Sequence, residues 1–192
     1  MAKGADTRNR ILKKTRKLIV KKGFNNTSIS DIITATGVKK GNLYYYYASK
    51  NELGLAVLKD AEQEFFDLLS ASFKGEKPLE KLWNSCAAIL KAQQKANFVG
   101  GCLFGNTALE MSGGNEEYAE IIREVFRKWT ALLADHLRQA VSAGDLAQVH
   151  SPESLAKMIV AVIEGGIMMS RVSKRKTDLE DCLQTLRAIL AR

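Results

Sequence analysis

The chain has 192 residues, 46% hydrophobic and 26% charged, with a formal net charge of +8, two prolines and 14 glycines. That is enough apolar material for a real core in one domain or two small ones, and it excludes a loop-rich or disordered polymer. No apolar run approaches the roughly 20 residues that span a bilayer, and "MAKGADTRNRILKKTRK" lacks the continuous apolar stretch of a signal peptide. A cytosolic protein with no membrane partner is therefore expected.

Cys86, Cys102 and Cys182 are odd in number, well separated and in no CxxC pattern, and the only histidines are His136 and His150. Neither a disulfide framework nor a zinc site is expected, and no cofactor is implied. The charge divides unevenly. Residues 1–50 hold 12 Lys+Arg against Asp6 and Asp31, a net +10, while residues 51–192 hold 17 Lys+Arg against 19 Asp+Glu, a net −2. A polyanion-binding head, 1–50, joined to a near-neutral body, 51–192, is the natural reading.

In chain order, nearly every segment has a helical period and no strand alternates convincingly. From Thr7 to Lys22, Ile11, Leu12, Thr15, Leu18 and Ile19 mark one face, with Lys13, Lys14, Arg16, Lys17 and Lys21 elsewhere around the axis; Gly23 ends this helix. Ser28 and Asp31 have capping-box spacing ahead of Ile29, Ile32 and Ile33, although Thr27 is an alternative cap. Gly37 and Val38 turn the chain into a third helix over 39–47. Ser49 and Glu52 cap a fourth, reaching about Phe73, and Pro78 opens a fifth, ending near Asn97. A short sixth helix lies within "VGGCLFGNTALEMSGG". The seventh runs from about Asn115 to Ala143, the eighth from Ser151–Pro152 to Ser173, and the last from Thr177 to Ala191. The expected fold is all-α: about nine helices, a three-helix head and a helical body.

Two short helices meeting at "ATGVKKG" have helix-turn-helix spacing, which places the second in the major groove of DNA. "VKKGNLYYYYASK" then becomes intelligible. Four consecutive tyrosines step about 100° apiece around a helix and cannot all be core. Leu43 and Tyr47 share the inward face; Tyr44, Tyr45 and Tyr46 spread over the rest, offering rings to thymine methyls or sugars and hydroxyls to phosphates. Lys39 and Lys40 sit at the helix start, where a cation costs a few tenths to about 1 kcal/mol. No acid from residue 32 to 51 stands nearby to neutralise them, and a DNA phosphate or guanine edge removes the conflict. Gly41 allows close approach. Against this stands a charged surface helix whose tyrosines merely pack on neighbours.

"GFNNTSISDIITATGVKKGNLYYYYASKNEL" resembles the DNA-binding region of the TetR family of transcriptional regulators (TetR/AcrR type), through Gly23, Phe24, Thr27, Asp31, Ile32, Gly37, Val38, Gly41, Leu43, Tyr44, Ser49 and Lys50. The resemblance covers about 50 residues. It implies that Lys40, Asn42 and Tyr45 touch bases or nearby sugar, and that Tyr44, Tyr46, Lys50 and Thr27 hold phosphates. Lys39 stands where serine is common, Asn42 where threonine is, Tyr46 where histidine is, and Tyr47 where phenylalanine is. These departures bear on the operator sequence, and the loss of a histidine removes a group that titrates near neutrality.

The resemblance also implies a homodimer through the last two helices. "SLAKMIVAVIEGGIMMS", with Ala156, Ala161, Gly165 and Gly166, and the Leu179, Leu183, Leu186, Ile189, Leu190 stripe are compatible with it, as they are with a buried monomer core. A small-molecule effector pocket is expected from Phe98, Cys102, Phe104, Asn106, Thr107, Met111, Tyr118, Phe126 and Trp129, with Trp83 and Cys86 from the preceding helix. Aromatics at helical spacing also read as plain core. Gly-Cys-Leu at the start of the sixth helix resembles a subgroup of these regulators in which some members sense electrophiles or oxidants. A thiol near a helix N-terminus favours its thiolate, although a buried cysteine is ordinarily inert. Cys86 and Cys182 lie on apolar faces and read as core.

No phosphate-cradling loop is indicated, since Gly100, Gly101 and Gly105 do not follow a strand, and no Ser/His/Asp arrangement has a supporting motif. An enzyme is not expected. The sequence points to a regulator, most simply a repressor released from its operator by an effector. A basic helical protein binding DNA or acidic membranes without sequence preference is the competing class.

Overall fold

The computed structural model describes residues 2–147 and 151–190. Among these residues there are nine helices and no strand: α1 Ala2–Lys22, α2 Ile29–Thr36, α3 Lys40–Tyr46, α4 Lys50–Ser72, α5 Pro78–Lys95, α6 Leu103–Met111, α7 Glu116–Ser142, α8 Pro152–Ser173 and α9 Thr177–Leu190. The all-α reading holds, and the punctuation residues act as expected. The Ser28 hydroxyl accepts from the Asp31 N–H at 3.1 Å while the Asp31 carboxylate accepts from the Ser28 N–H at 2.7 Å, a complete capping box. Lys22 and Ser28 together hold the Asp31 carboxyl well below the usual carboxylate range. Pro78 and Pro152 open their helices. The largest departure is α1, which begins at Ala2 rather than Thr7. His150 and Ala191 lie outside the described residues.

The chain forms two compact units, Met1–Glu64 with Leu103–Ile122, and Phe65–Cys102 with Arg123–Arg192. In the first unit, α1 buries Ile11, Leu12, Thr15 and Ile19, and the core continues through Phe24, Ile32, Val38, Leu43, Tyr47, Leu53, Val57 and Leu58. α6 and the start of α7 are fastened to it. The Glu110 carboxylate accepts from the Phe24 N–H at 2.8 Å and the Asn25 N–H at 2.7 Å. A Cβ on Gly23, whose φ of +87° suits glycine, would stand 2.9 Å from Glu110 Oε2. The Tyr118 ring packs on Phe24 at 5.1 Å, and its hydroxyl donates to the Asn51 carbonyl at 3.2 Å. Asn51 also bonds Asn115 and Glu117. At Gly54, a Cβ would collide with the Tyr118 hydroxyl and the Phe24 ring.

The second unit is built on one apolar cluster from α4, α5, α7, α8 and α9, with Leu69, Leu82, Ile89, Trp129, Leu133, Leu137, Ile159, Ile163, Leu179 and Leu183 at its centre. α8 and α9 pack closely at Gly166, where a Cβ would lie 2.7 Å from Leu179 Cδ1 and 3.1 Å from its Cα. The Ser170 hydroxyl accepts from the Leu179 N–H at 3.1 Å, satisfying one of the four N–H groups that a helix start leaves open.

Two outcomes follow from these contacts. Gly166→Ala overpacks against the Leu179 backbone and lowers stability by about 1–3 kcal/mol in urea unfolding; an unchanged midpoint would contradict it. Glu110→Gln weakens the hold on two backbone donors, costing about 1–3 kcal/mol and accelerating hydrogen exchange at the Phe24 and Asn25 amides. Unaltered exchange there would contradict it.

Candidate nucleic-acid interface

α2 and α3 are joined by Gly37–Lys39. Gly37 takes φ +68°, which lets its N–H return to the Ile33 carbonyl at 2.8 Å. Thr36 donates its hydroxyl to the Ile32 carbonyl at 2.6 Å, and Val38 is buried, so the turn is fixed from both sides. α3 has only seven residues and no side-chain cap at Lys39. Such a helix does not stand alone in water. Leu43 and Tyr47, both buried as expected, anchor it, each contributing about 1.5–3 kcal/mol of burial. The remaining side chains lie toward solvent or at the edge of the anchored face.

Tyr45 is 82% exposed and Tyr44 40%, while Tyr46 is half-buried with its ring set edge-on to Tyr45 at 5.2 Å. Lys39, Lys40, Gly41 and Asn42 are exposed, and α3 has no acid in its first turn. Around and at the start of α3 these residues present two cations, an amide and three phenols. Lys50, the first residue of α4, lies beside it in the chain but is partly held by the fold. Its ammonium donates to the Asn25 carbonyl at 3.3 Å and sits 4.4 Å from the centre of the Phe24 ring. Burial pushes this lysine below its ordinary value, against the opposing pull of Glu110.

Thr27 is the exception among the nine candidates. Its side chain is 0% exposed, and its hydroxyl donates to the Gly23 carbonyl at 2.6 Å. A phosphate contact through that hydroxyl does not suit the placement; the group instead closes the end of α1. Inward-facing threonines are hard to tell from surface ones by spacing alone. Glu110 and Asn51, which bind the turn and helix start beside this surface, were not legible either, since their partners lie 85 and 64 residues or more away.

The eleven effector candidates divide between the units. Phe104, Asn106, Thr107, Met111 and Tyr118 lie in the first. Of these, Phe104, Thr107 and Tyr118 are buried; Thr107 donates to the Leu103 carbonyl at 2.7 Å, and burial raises the Tyr118 phenol. Trp83, Cys86, Phe98, Cys102, Phe126 and Trp129 lie in the second, where all but Phe98 belong to the same apolar cluster. Phe126 stacks on Trp129 at 6.2 Å, Phe65 meets Trp129 edge-on at 5.1 Å, and the buried Trp129 indole N–H has no partner among the described residues. The Cys86 thiol is pushed up to about 12 by burial, as suits an inert core cysteine. Cys102 is half-buried and hydrogen-bonds the Glu164 carboxyl, which burial raises above the usual range. No helix among the described residues is long and apolar enough to cross a membrane.

Known proteins share this arrangement. Residues 11–57 match the family described as bacterial regulatory proteins, tetR family, and residues 78–186 match the tetracyclin repressor-like C-terminal domain. The transcriptional regulator AcuR of Cereibacter sphaeroides is 27% identical over 169 residues, 87% of this chain and 77% of that one. An HTH-type transcriptional regulator from the lacX 3′ region of Lactococcus lactis is 29% identical, over 95% of this chain and 92% of its own. A TetR transcriptional regulator from Chloroflexus aurantiacus superposes with a TM-score of 0.93 at 27% identity, covering 100% of this chain and 98% of that chain. With both its helix-turn-helix segment and most of its body matched, this chain belongs to the TetR family and is a DNA-binding transcriptional regulator.

Proposed function

We propose that the chain is a cytoplasmic repressor that sits on its operator as a homodimer and leaves it when a small-molecule effector binds the body, acting by binding rather than turnover. The observation that carries this reading is Tyr45, a large aromatic left 82% exposed on a helix whose remaining surface is cationic and polar. Lys40, Asn42 and Tyr45 read bases or sugar, with Lys39, Tyr44, Tyr46 and Lys50 on phosphates and Gly41 permitting the close approach. Lys50 must first leave the Asn25 carbonyl, which makes it an adjustable contact.

Dimerisation through α8 and α9 is supported by an apolar face that no described residue covers. Met158, Met168, Met169 and Val172 on α8 and Ile189 on α9 are exposed, and a Cβ on Gly165 would meet nothing within 4 Å. Positions 158, 161, 165, 168 and 172 recur every three to four residues, the spacing of one helix face. A two-fold operator requires two recognition helices about one helical turn apart, or a multiple of it. The effector pocket draws on the Trp83, Cys102, Phe126 and Trp129 cluster. Sensing through the Cys102 thiol is the second reading, because the side chain is half-buried and packed against the apolar cluster of the second unit.

Titrations against genomic fragments selected by the wild-type chain test the reading. Tyr45→Ala narrows the preference for the selected fragment by about 1–3 kcal/mol, whereas Lys50→Ala weakens all sequences alike and reduces the salt slope by about 1. Equal losses on selected and random DNA in both variants would favour non-specific binding instead. In sedimentation, the Met168→Glu, Val172→Glu double variant is monomeric and loses operator affinity; an intact dimer would place the interface elsewhere.

A further inference from the structure

Helix α1 carries cations that the fold treats in two ways. Arg16 turns toward α4, its guanidinium 2.6 Å from Glu64 and 3.9 Å from Asp60, and Lys22 lies 2.6 Å from Asp31. Arg10, Lys13, Lys14, Lys17 and Lys21 are all exposed. Among the described residues none of these five has a carboxylate within 4.0 Å.

At about 100° per residue, the five fall within one arc of about 100°, opposite the face that buries Ile11, Leu12, Thr15 and Ile19. With a rise of 1.5 Å per residue, the stripe from Arg10 to Lys21 is about 17 Å long. Its first four members, with Arg16 and Glu64, line an open groove of about 450 Å³. Neighbours along it stand three or four residues apart, the spacing at which like charges repel and weaken a helix by a few tenths of a kcal/mol per pair. An external polyanion with its own regular charge spacing relieves that repulsion. Duplex DNA, with one negative charge per about 1.7 Å of axis, supplies it.

We infer that the stripe is a second DNA surface, separate from α3, that takes backbone phosphates of the duplex beyond the bases α3 reads. It rests on the DNA-binding role of the head and adds to it. Contacts of this kind supply affinity and salt dependence and carry no sequence information.

The test is a salt titration, from roughly 50 to 200 mM, of binding to a random-sequence duplex of about four helical turns. Three proteins are compared: the wild-type chain, a Lys13→Gln, Lys14→Gln, Lys17→Gln variant, and a control with Lys91→Gln, Lys95→Gln, Lys174→Gln, which removes three exposed charges outside the stripe. The stripe variant has a salt slope shallower by about 2–3, roughly 0.9 for each phosphate no longer neutralised, and the control does not change. An unchanged slope in the stripe variant, or an equal fall in the control, overturns the inference. So does loss of binding to phosphatidylglycerol vesicles with the DNA slope intact, which would assign the stripe to a lipid surface. Preference for a selected genomic fragment, read in the same titrations, depends on α3 and survives in the stripe variant. Its absence in the wild-type chain would count against the operator reading and not against the stripe.

Discussion

A helix of seven residues gains too few internal hydrogen bonds to persist by itself, so α3 exists because Leu43 and Tyr47 are packed beneath it. That single constraint sets the rest of the surface. With positions 43 and 47 committed inward, residues 44 and 45 must project outward and 46 must lie to the side, and the lysines at 39 and 40 are carried to the exposed end. The tyrosine run that looks wasteful in the sequence is one anchor and three presented groups. Capping at Ser28 fixes where α2 begins, and the left-handed Gly37 fixes where it ends and the turn into α3 starts.

Much of this was legible because it depends on local rules. Serine three residues before aspartate, glycine at a helix end, proline at a first turn and apolar residues four apart each act within one turn of chain, and each acted as expected. The parts that were not legible depend on distant partners. Nothing near Glu110 says that its carboxylate will cap the Phe24 and Asn25 amides, and nothing near Thr27 says that its hydroxyl turns inward to Gly23. The aromatic and thiol residues of the middle stretch show the same limit. Periodicity identifies a buried face but not what it is buried against, so residues read as one group divide, with Tyr118 set on Phe24 and Trp129 set on Phe65 and Phe126.

Chain connectivity gives α6 a particular position. Cys102 ends a segment of the second unit and Leu103 opens a segment of the first, while Glu110, near the far end of the same helix, holds the turn that follows α1. On the proposed reading, an effector that favours a different setting of α6 acts on the head through the Glu110 contact. It can shift the equilibrium only by the difference in its affinity for the two settings, and DNA must weaken effector binding by the same factor. A coupling of about 1–3 kcal/mol, typical of such systems, is comparable to what one hydrogen bond to a carboxylate contributes.

Tyrosine nitration by tetranitromethane reads whether the outward face of α3 meets DNA. Peptide mapping by mass spectrometry reads the rate at each ring in the free chain and in the presence of a genomic fragment that the chain has selected. Tyr45 should be nitrated fastest in the free protein and protected by the fragment, with the buried Tyr47 and Tyr118 slow in both states. Nitration of Tyr45 at the same rate with and without bound DNA would mean that this face of α3 does not meet the duplex.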